Sequence, residues 1–200
     1  MPHLEVLESE LRKFDIDLPS SQKLALAAYC DELHRWNKKI NLTGLAGADM
    51  VRRLVVEPVW IGLQLQLSGV LADIGSGNGS PAIPLHIVCG LQTAHLIEAR
   101  TKRAAFLRHV ATTLKLSSLQ VHKTRFEEAS KTLGPIDWIT LQGVALEAEL
   151  IDSIRPVSSA TTTIVWITSS GMNAAVEPVK TLQVPFTNTQ VFLFRLNRIL

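Results

Sequence analysis

Hydrophobic positions along the first forty residues recur at helical spacing. Leu4, Leu7, Leu11 and Phe14 mark one face, Leu18-Pro19-Ser20-Ser21 breaks the chain, and Leu26, Tyr29, Leu33, Trp36 and Ile40 mark a second face. Asn41-Leu42-Thr43-Gly44 ends that helix. A third helical stretch is predicted from Asp49 to about Gln66, kinked or split at Pro58, because proline removes a backbone donor. From residue 69 the rhythm changes. Short apolar runs at 70–74, 94–98, 119–122, 136–141 and 161–168 read as strands. Helices are predicted between them, starting near Pro81 and covering 101–115, 127–131 and 144–154. Two last strands, 182–185 and 190–196, follow one another across a short Thr187-Asn188 connection, which predicts an antiparallel pair.

Strands alternating with helices imply a parallel sheet covered on both faces. The expected architecture is therefore α/β: a mostly parallel seven-stranded sheet with a terminal antiparallel pair over residues 68–200. A helical extension over 1–67 precedes it. The 200 residues suit one such domain with a small appendage. With 46% apolar and 19% charged residues, the chain is neither disordered nor a coiled coil. Its most apolar stretch, 59–71, is too short to span a bilayer and carries Gln64 and Gln66. The N-terminal MPHLEVLESEL is acidic and lacks a continuous apolar core, so no export signal and no membrane association are expected. Cys30 and Cys89 stand alone without a CxxC or Cys/His run. No metal site is expected, and a reducing cytoplasm is the expected compartment.

The net charge of +2 conceals an uneven distribution. Residues 61–125 hold Arg100, Lys102, Arg103, Arg108, Lys115, Lys123 and Arg125 against only Asp73 and Glu98. A second basic group joins Arg35, Lys38 and Lys39 to Arg52 and Arg53. Such clusters are either a phosphate-binding footprint or a solvated face. For RNA contact the candidates are Arg35, Lys38, Lys39, Arg52, Arg53, Arg100, Lys102, Arg103 and Arg125.

Asp73-Ile74-Gly75-Ser76-Gly77-Asn78-Gly79 carries the most chemical information. Glycines at the carboxyl end of the first strand let a ligand approach the backbone, where open α/β sheets bind their ligands. The spacing is GxGxG, so the dinucleotide GxGxxG fits poorly, and no Walker lysine follows. The Asp73 carboxylate is placed either to hold the loop's amides or to accept from a cationic ligand. Glu98, roughly 20 residues after the loop, can accept ribose hydroxyls. Two acids without a phosphate-binding cation describe a nucleoside ligand carrying no phosphate. S-adenosylmethionine fits, with adenosine toward Glu98 and the cationic end toward Asp73 and the loop.

The segment Asp73 to Pro81 resembles the first motif of class I methyltransferases. More narrowly, it resembles the glucose-inhibited-division-protein-B family of small-subunit ribosomal RNA guanine-N7 methyltransferases. Trp36-Asn37-Lys38-Lys39-Ile40-Asn41-Leu42-Thr43 is similar to that family's WNxxxNLT, and Glu98 to Leu107 to its acid followed by KKxxFL. Thr124-Arg125-Phe126-Glu127-Glu128 is similar to its R-x-E, and Leu182-Gln183-Val184-Pro185 to the start of its closing strand pair. The resemblance implies S-adenosylmethionine as cofactor, contacted by Asp73, Gly75, Ser76, Gly77, Gly79, Ser80, Glu98, Phe126, Glu127 and Gln142. It also implies the small ribosomal subunit or its RNA as partner; a monomer is expected. Guanine N7 already presents a lone pair, so no general base is required and none is assigned.

The chain departs from the family at several of these positions. Gln142 stands where the family has arginine, which loses a fixed cation and a bidentate fork. Arg52-Arg53-Leu54-Val55-Val56-Glu57 replaces arginine-histidine followed by an acid and a serine, Ala82 replaces a glycine, and Ser170 before Gly171 replaces a lysine. Two functional expectations stay open on these grounds: an active RNA methyltransferase, or a relative that binds cofactor or RNA without turnover. A dinucleotide oxidoreductase is a distant third.

Overall fold

The structure is a computed structural model that describes residues 3–170 and 177–195. Gly171 and Leu196, named above, lie outside the described residues. The chain opens with α1 (Leu4–Lys13) and α2 (Ser20–Asn37). Next, α3 (Gly47–Val51) runs through a π-helical turn at Arg52–Val56 into α4 (Glu57–Leu65). The interruption expected at Pro58 thus lies just upstream, and the helix resumes at once. Pro58 cannot donate to the carbonyl of Leu54, and its ring crowds that carbonyl; the widened turn accommodates both.

Seven strands follow: β1 (Val70–Ile74), β2 (Thr93–Ile97), β3 (Leu119–His122), β4 (Ile136–Gln142), β5 (Ser158–Thr168), β6 (Lys180–Gln183) and β7 (Gln190–Arg195). They form one sheet in the order β3-β2-β1-β4-β5-β7-β6. The first five are parallel and β7 lies antiparallel to β6, as the patterning predicts; β7 is also antiparallel to β5, which the patterning did not specify. Helices α5 (Ala82–Cys89), α6 (Thr101–Thr113), α7 (Phe126–Ala129) and α8 (Ala148–Ile154) connect the strands. The last of these begins four residues later than the periodicity suggests. Gly143 turns the chain at φ +69°, Val144 to Glu147 stay non-helical, and Glu147 enters α8 from an extended conformation.

Strands buried on both faces divide the core in two. One cluster joins Leu7, Leu11, Tyr29, Leu33 and Val59 of the N-terminal helices to Leu85, Phe106, Leu71 and Leu96. The other gathers Ala72, Ile74, Ile139, Ile164, Phe126 and Ile154 on the opposite face. Adjacent residues in β1, Leu71 and Ala72, face the two different clusters, as the two-residue strand period requires. Close approach of α4 and α5 depends on Gly62: a Cβ there would lie 2.5 Å from the Cys89 sulfur and 2.6 Å from Leu85 Cδ2.

Candidate functional site: two joined pockets at the carboxyl edge

The glycine loop follows β1 at the centre of the sheet, where strand order reverses between β2 and β4. Ligands collect at this point because the helices after neighbouring strands depart to opposite faces and leave a crevice. The loop is held from β2. Gly75 and Ser76 donate their N–H groups to Ile97 O at 2.9 and 3.0 Å, and Gly77 N–H donates to Glu98 Oε2 at 3.0 Å. Gly75 has φ +75°, and a Cβ there would sit 2.8 Å from Val144 Cγ2. Gly79, at φ +93°, lies beneath the loop, where a Cβ would reach 2.4 Å from Ile83 Cδ1. It therefore seats the loop on α5 and α6.

Asp73 does not hold the loop amides, which was one of its two expected roles; β2 does so instead. Its side chain is 1% exposed, Oδ1 accepts from Thr140 Oγ1 at 2.6 Å, and Oδ2 has no partner among the described residues. Burial pushes its carboxyl up to about 6, with the nearby Glu98 charge adding to the rise. Tyr29 closes the same region from the N-terminal helices, and its hydroxyl donates to Asn78 O at 2.9 Å. Burial keeps that phenol protonated far above neutral pH.

Two pockets meet at Gly75, Glu98 and Arg100. The first, about 530 Å³, is walled by apolar Ile74, Ile97, Phe126 and Leu150, with Glu98 and Glu127 at its polar margin. The second, about 480 Å³, is formed by Ser76, Gly77 and Ser80 of the loop facing Arg103 and Gln142. Of the ten residues expected at the cofactor, only Asp73 and Gly79 line neither pocket; both act from below. Glu98, buried between the pockets, also accepts Arg100 N–H at 2.7 Å. Each of its oxygens can accept a second hydrogen bond. Gln142 stands 3.4 Å from the Ser80 hydroxyl.

The candidate RNA-contacting basic residues are divided between the pockets and the surface. Arg100 and Arg103 reach the second pocket and Arg125 the first. Arg35 pairs with Glu32 and meets His109, while Lys38, Lys39 and Lys102 are exposed on the surface. Arg52 pairs with Asp49, and Arg53 donates to Ser169 Oγ. Among the described residues, no cluster of His, Cys, Asp and Glu is placed to hold a metal, and no helix is long and apolar enough to cross a membrane.

Several site residues escaped the sequence. Leu42 and Leu54 border the second pocket. Leu42 is fixed there by Asn37, whose side-chain oxygen accepts the N–H groups of Leu42 and Thr43 at 2.7 and 3.0 Å and whose amide donates to Thr43 O at 2.8 Å. The signal for this turn was in the WNKKINLT segment, but it pointed to Asn41 rather than Asn37. Val144, Ala145 and Glu147 border the first pocket because α8 starts late. Thr140 partners Asp73 across the β1–β4 register, which no local pattern reveals.

This sheet order, with a glycine loop after β1 and an acid just past β2, defines a class I methyltransferase fold. Solved methyltransferases share it: the C-terminal domain of precorrin-6Y C5,15-methyltransferase from Rhodobacter capsulatus superposes with a TM-score of 0.53 over 76% of this chain and 92% of that one, at 17% identity. The mitomycin 7-O-methyltransferase MmcR gives 0.57 over 96% of this chain and 66% of that one, at 15% identity. The chain belongs to the GidB family, whose model, described as rRNA small subunit methyltransferase G, matches residues 22–187. Curated relatives carrying the name ribosomal RNA small subunit methyltransferase G include one from Geotalea uraniireducens, 35% identical over 68% of this chain and 63% of its own length. Relatives of the same name from Chloroflexus aggregans (33% identical, 71% and 62% covered) and Salmonella agona (39%, 62% and 60%) also match. The matched part thus spans less than two thirds of these relatives' own lengths.

Proposed function

We propose that the chain is an S-adenosylmethionine-dependent RNA methyltransferase acting on guanine N7 of small-subunit ribosomal RNA, as a cytoplasmic monomer. The observation that carries this reading is the pair of pockets joined at Gly75 and Glu98. The first suits an adenosine: Ile74, Ile97 and Phe126 bound an apolar slot for the base, and Glu98 offers acceptors to ribose hydroxyls. In the second, glycine-loop backbone and Arg103 suit an amino-acid end, and the unpartnered Asp73 Oδ2 beneath the loop suits a nearby positive charge. When bound, the cofactor supplies an electrophilic methyl group. The chain's own contribution is positioning. Well-oriented reactants gain on the order of 7–11 kcal/mol, so a nucleophile with a ready lone pair needs no base. Arg100, Arg103 and Arg125 around the opening favour a polyanionic substrate.

A second reading, binding without turnover, draws on Gln142, a neutral side chain beside Ser80 where the family carries arginine. Labelled-methyl transfer to small ribosomal subunits from cells lacking their own N7 enzyme separates the two. Incorporation at guanine N7 is expected. Calorimetric binding of S-adenosylhomocysteine without incorporation would favour the second reading, and no binding of either cofactor form would refute the first and reduce the second to RNA binding alone.

A further inference from the structure

A third recess, of about 480 Å³, shares no lining residue with the two pockets of the glycine loop. Arg52, Arg53, Glu57, Phe186, Thr187 and Asn188 line it. It opens at the same sheet edge. Arg53 Nη2 donates to Ser169, which directly follows β5, and the β6–β7 turn that supplies Phe186 stands where Thr168 pairs with Gln190.

Three features of this recess leave capacity for a ligand beyond the Arg52–Asp49 pair, the Arg53–Ser169 bond and the edge-on Phe14–Phe186 contact. Glu57 is 3% exposed; its Oε2 accepts from Thr189 Oγ1 at 2.5 Å, while Oε1 has no partner among the described residues. A buried carboxylate oxygen left unpaired is costly, so an acceptor kept there suits an incoming donor. Phe186 is 84% exposed and held at φ +62°, a conformation that a bulky residue adopts only under constraint. Its aromatic neighbour, Phe14, lies 6.0 Å away and perpendicular, so the ring is not stacked. Finally, two guanidinium groups border the recess, and their charges oppose the effect of burial on Glu57.

An unstacked aromatic ring, a buried acceptor and paired cations match the three faces of a single-stranded nucleotide: its base plane, its base-edge N–H and its phosphate. We propose that this recess holds one unpaired nucleotide of the RNA substrate, with the base against Phe186, a base-edge donor on Glu57 Oε1 and a phosphate on Arg52 and Arg53. The inference rests on the reading that RNA is the substrate. The nucleotide held here is not the methyl acceptor, since the recess is separate from the pockets; it anchors the strand and thereby sets which neighbouring base reaches them.

The test uses the full chain with Phe186→Trp as a fluorescent reporter, compared with Phe186→Ala for background emission. Guanosine 5′-monophosphate is titrated in the presence of saturating S-adenosylhomocysteine, with inorganic phosphate as a parallel probe. Quenching of the indole at 186 by the nucleotide and not by phosphate is expected, weakened about tenfold by Glu57→Gln, which keeps the Thr189 contact. Four results each overturn the proposal: no quenching by any of the four nucleoside monophosphates, equal affinity in a folded Glu57→Gln variant, equal competition by phosphate, or loss of the signal when S-adenosylhomocysteine is added. Phe186 is a surface residue, so Phe186→Ala also gives a folding-independent check: about tenfold weaker binding of single-stranded RNA with unchanged S-adenosylhomocysteine affinity supports the anchor, and unchanged RNA affinity overturns it. Methyl transfer is measured separately. Its absence with quenching intact removes only the enzymatic reading, and its presence without quenching removes only the recess.

Discussion

Asp73 is expected to make cofactor binding depend on pH in a direction opposite to folding stability. Burial raises its carboxyl from 3.8 to about 6, Glu98 adds to the rise, and the hydroxyls of Thr140 and Ser76 pull the other way. The folded chain therefore prefers the protonated acid. Its contribution to stability is fully present below the unfolded value and is lost as pH rises through about 6. The rise corresponds to about 3 kcal/mol, undiminished by solvent because the group is 1% exposed. A cationic ligand beside Oδ2 reverses this preference by favouring the carboxylate. If only the ionised form binds, affinity follows the ionised fraction, about 0.9 at pH 7 and about 0.1 at pH 5, a roughly tenfold loss. Calorimetry with S-adenosylmethionine from pH 5 to 8 reads this directly. Asp73→Asn retains an acceptor for Thr140. That variant is expected to bind more weakly at pH 7, to lose the pH slope, and to melt at a higher temperature than the unsubstituted chain without ligand. Glu57→Gln provides a control, since that buried acid lies in a separate recess and its removal leaves the slope in place. A flat profile in the unsubstituted chain, or an unchanged slope in Asp73→Asn, would rule out Asp73 as the source of the pH dependence.

Three further substitutions probe the frame around the site. Glu98→Gln removes the charge that holds the Gly77 and Arg100 amides and puts an NH2 group, which cannot accept, opposite one of them, so a cofactor affinity at least about tenfold lower is expected by calorimetry together with a stability loss of about 1–3 kcal/mol. Gly79→Ala forces a Cβ at φ +93° against Ile83, so a loss of about 1–3 kcal/mol is expected in urea unfolding, together with weakened cofactor binding. Gly62→Ala should cost a similar amount, about 1–3 kcal/mol, through the Cys89 and Leu85 contacts, while cofactor affinity in the folded fraction stays unchanged; a neutral effect would contradict the close approach of α4 and α5.

Features that depend only on neighbours along the chain were legible in the amino-acid sequence. Strand and helix periods located β1 and β3 to the residue, and the glycine loop and Glu98 were legible because backbone freedom and strand-end position are local properties. Where local signals competed, boundaries moved: Val144 and Leu146 looked helical, yet Gly143 holds the chain out of α8 and gives the first pocket a wall. The tertiary structure alone decided the pairings across long loops. Thr140 reaches Asp73 over 67 residues through the β1–β4 register, and Thr189 reaches Glu57 over 132 residues through the docking of α4 beside the β6–β7 turn. It also decided that the N-terminal helices share a core with one face of the sheet, and which of the arginines face the pockets. Charge and periodicity along a chain specify which side chains are available. Which buried polar atoms find partners, and which are left open for a ligand, follows only from the packing that brings distant segments together.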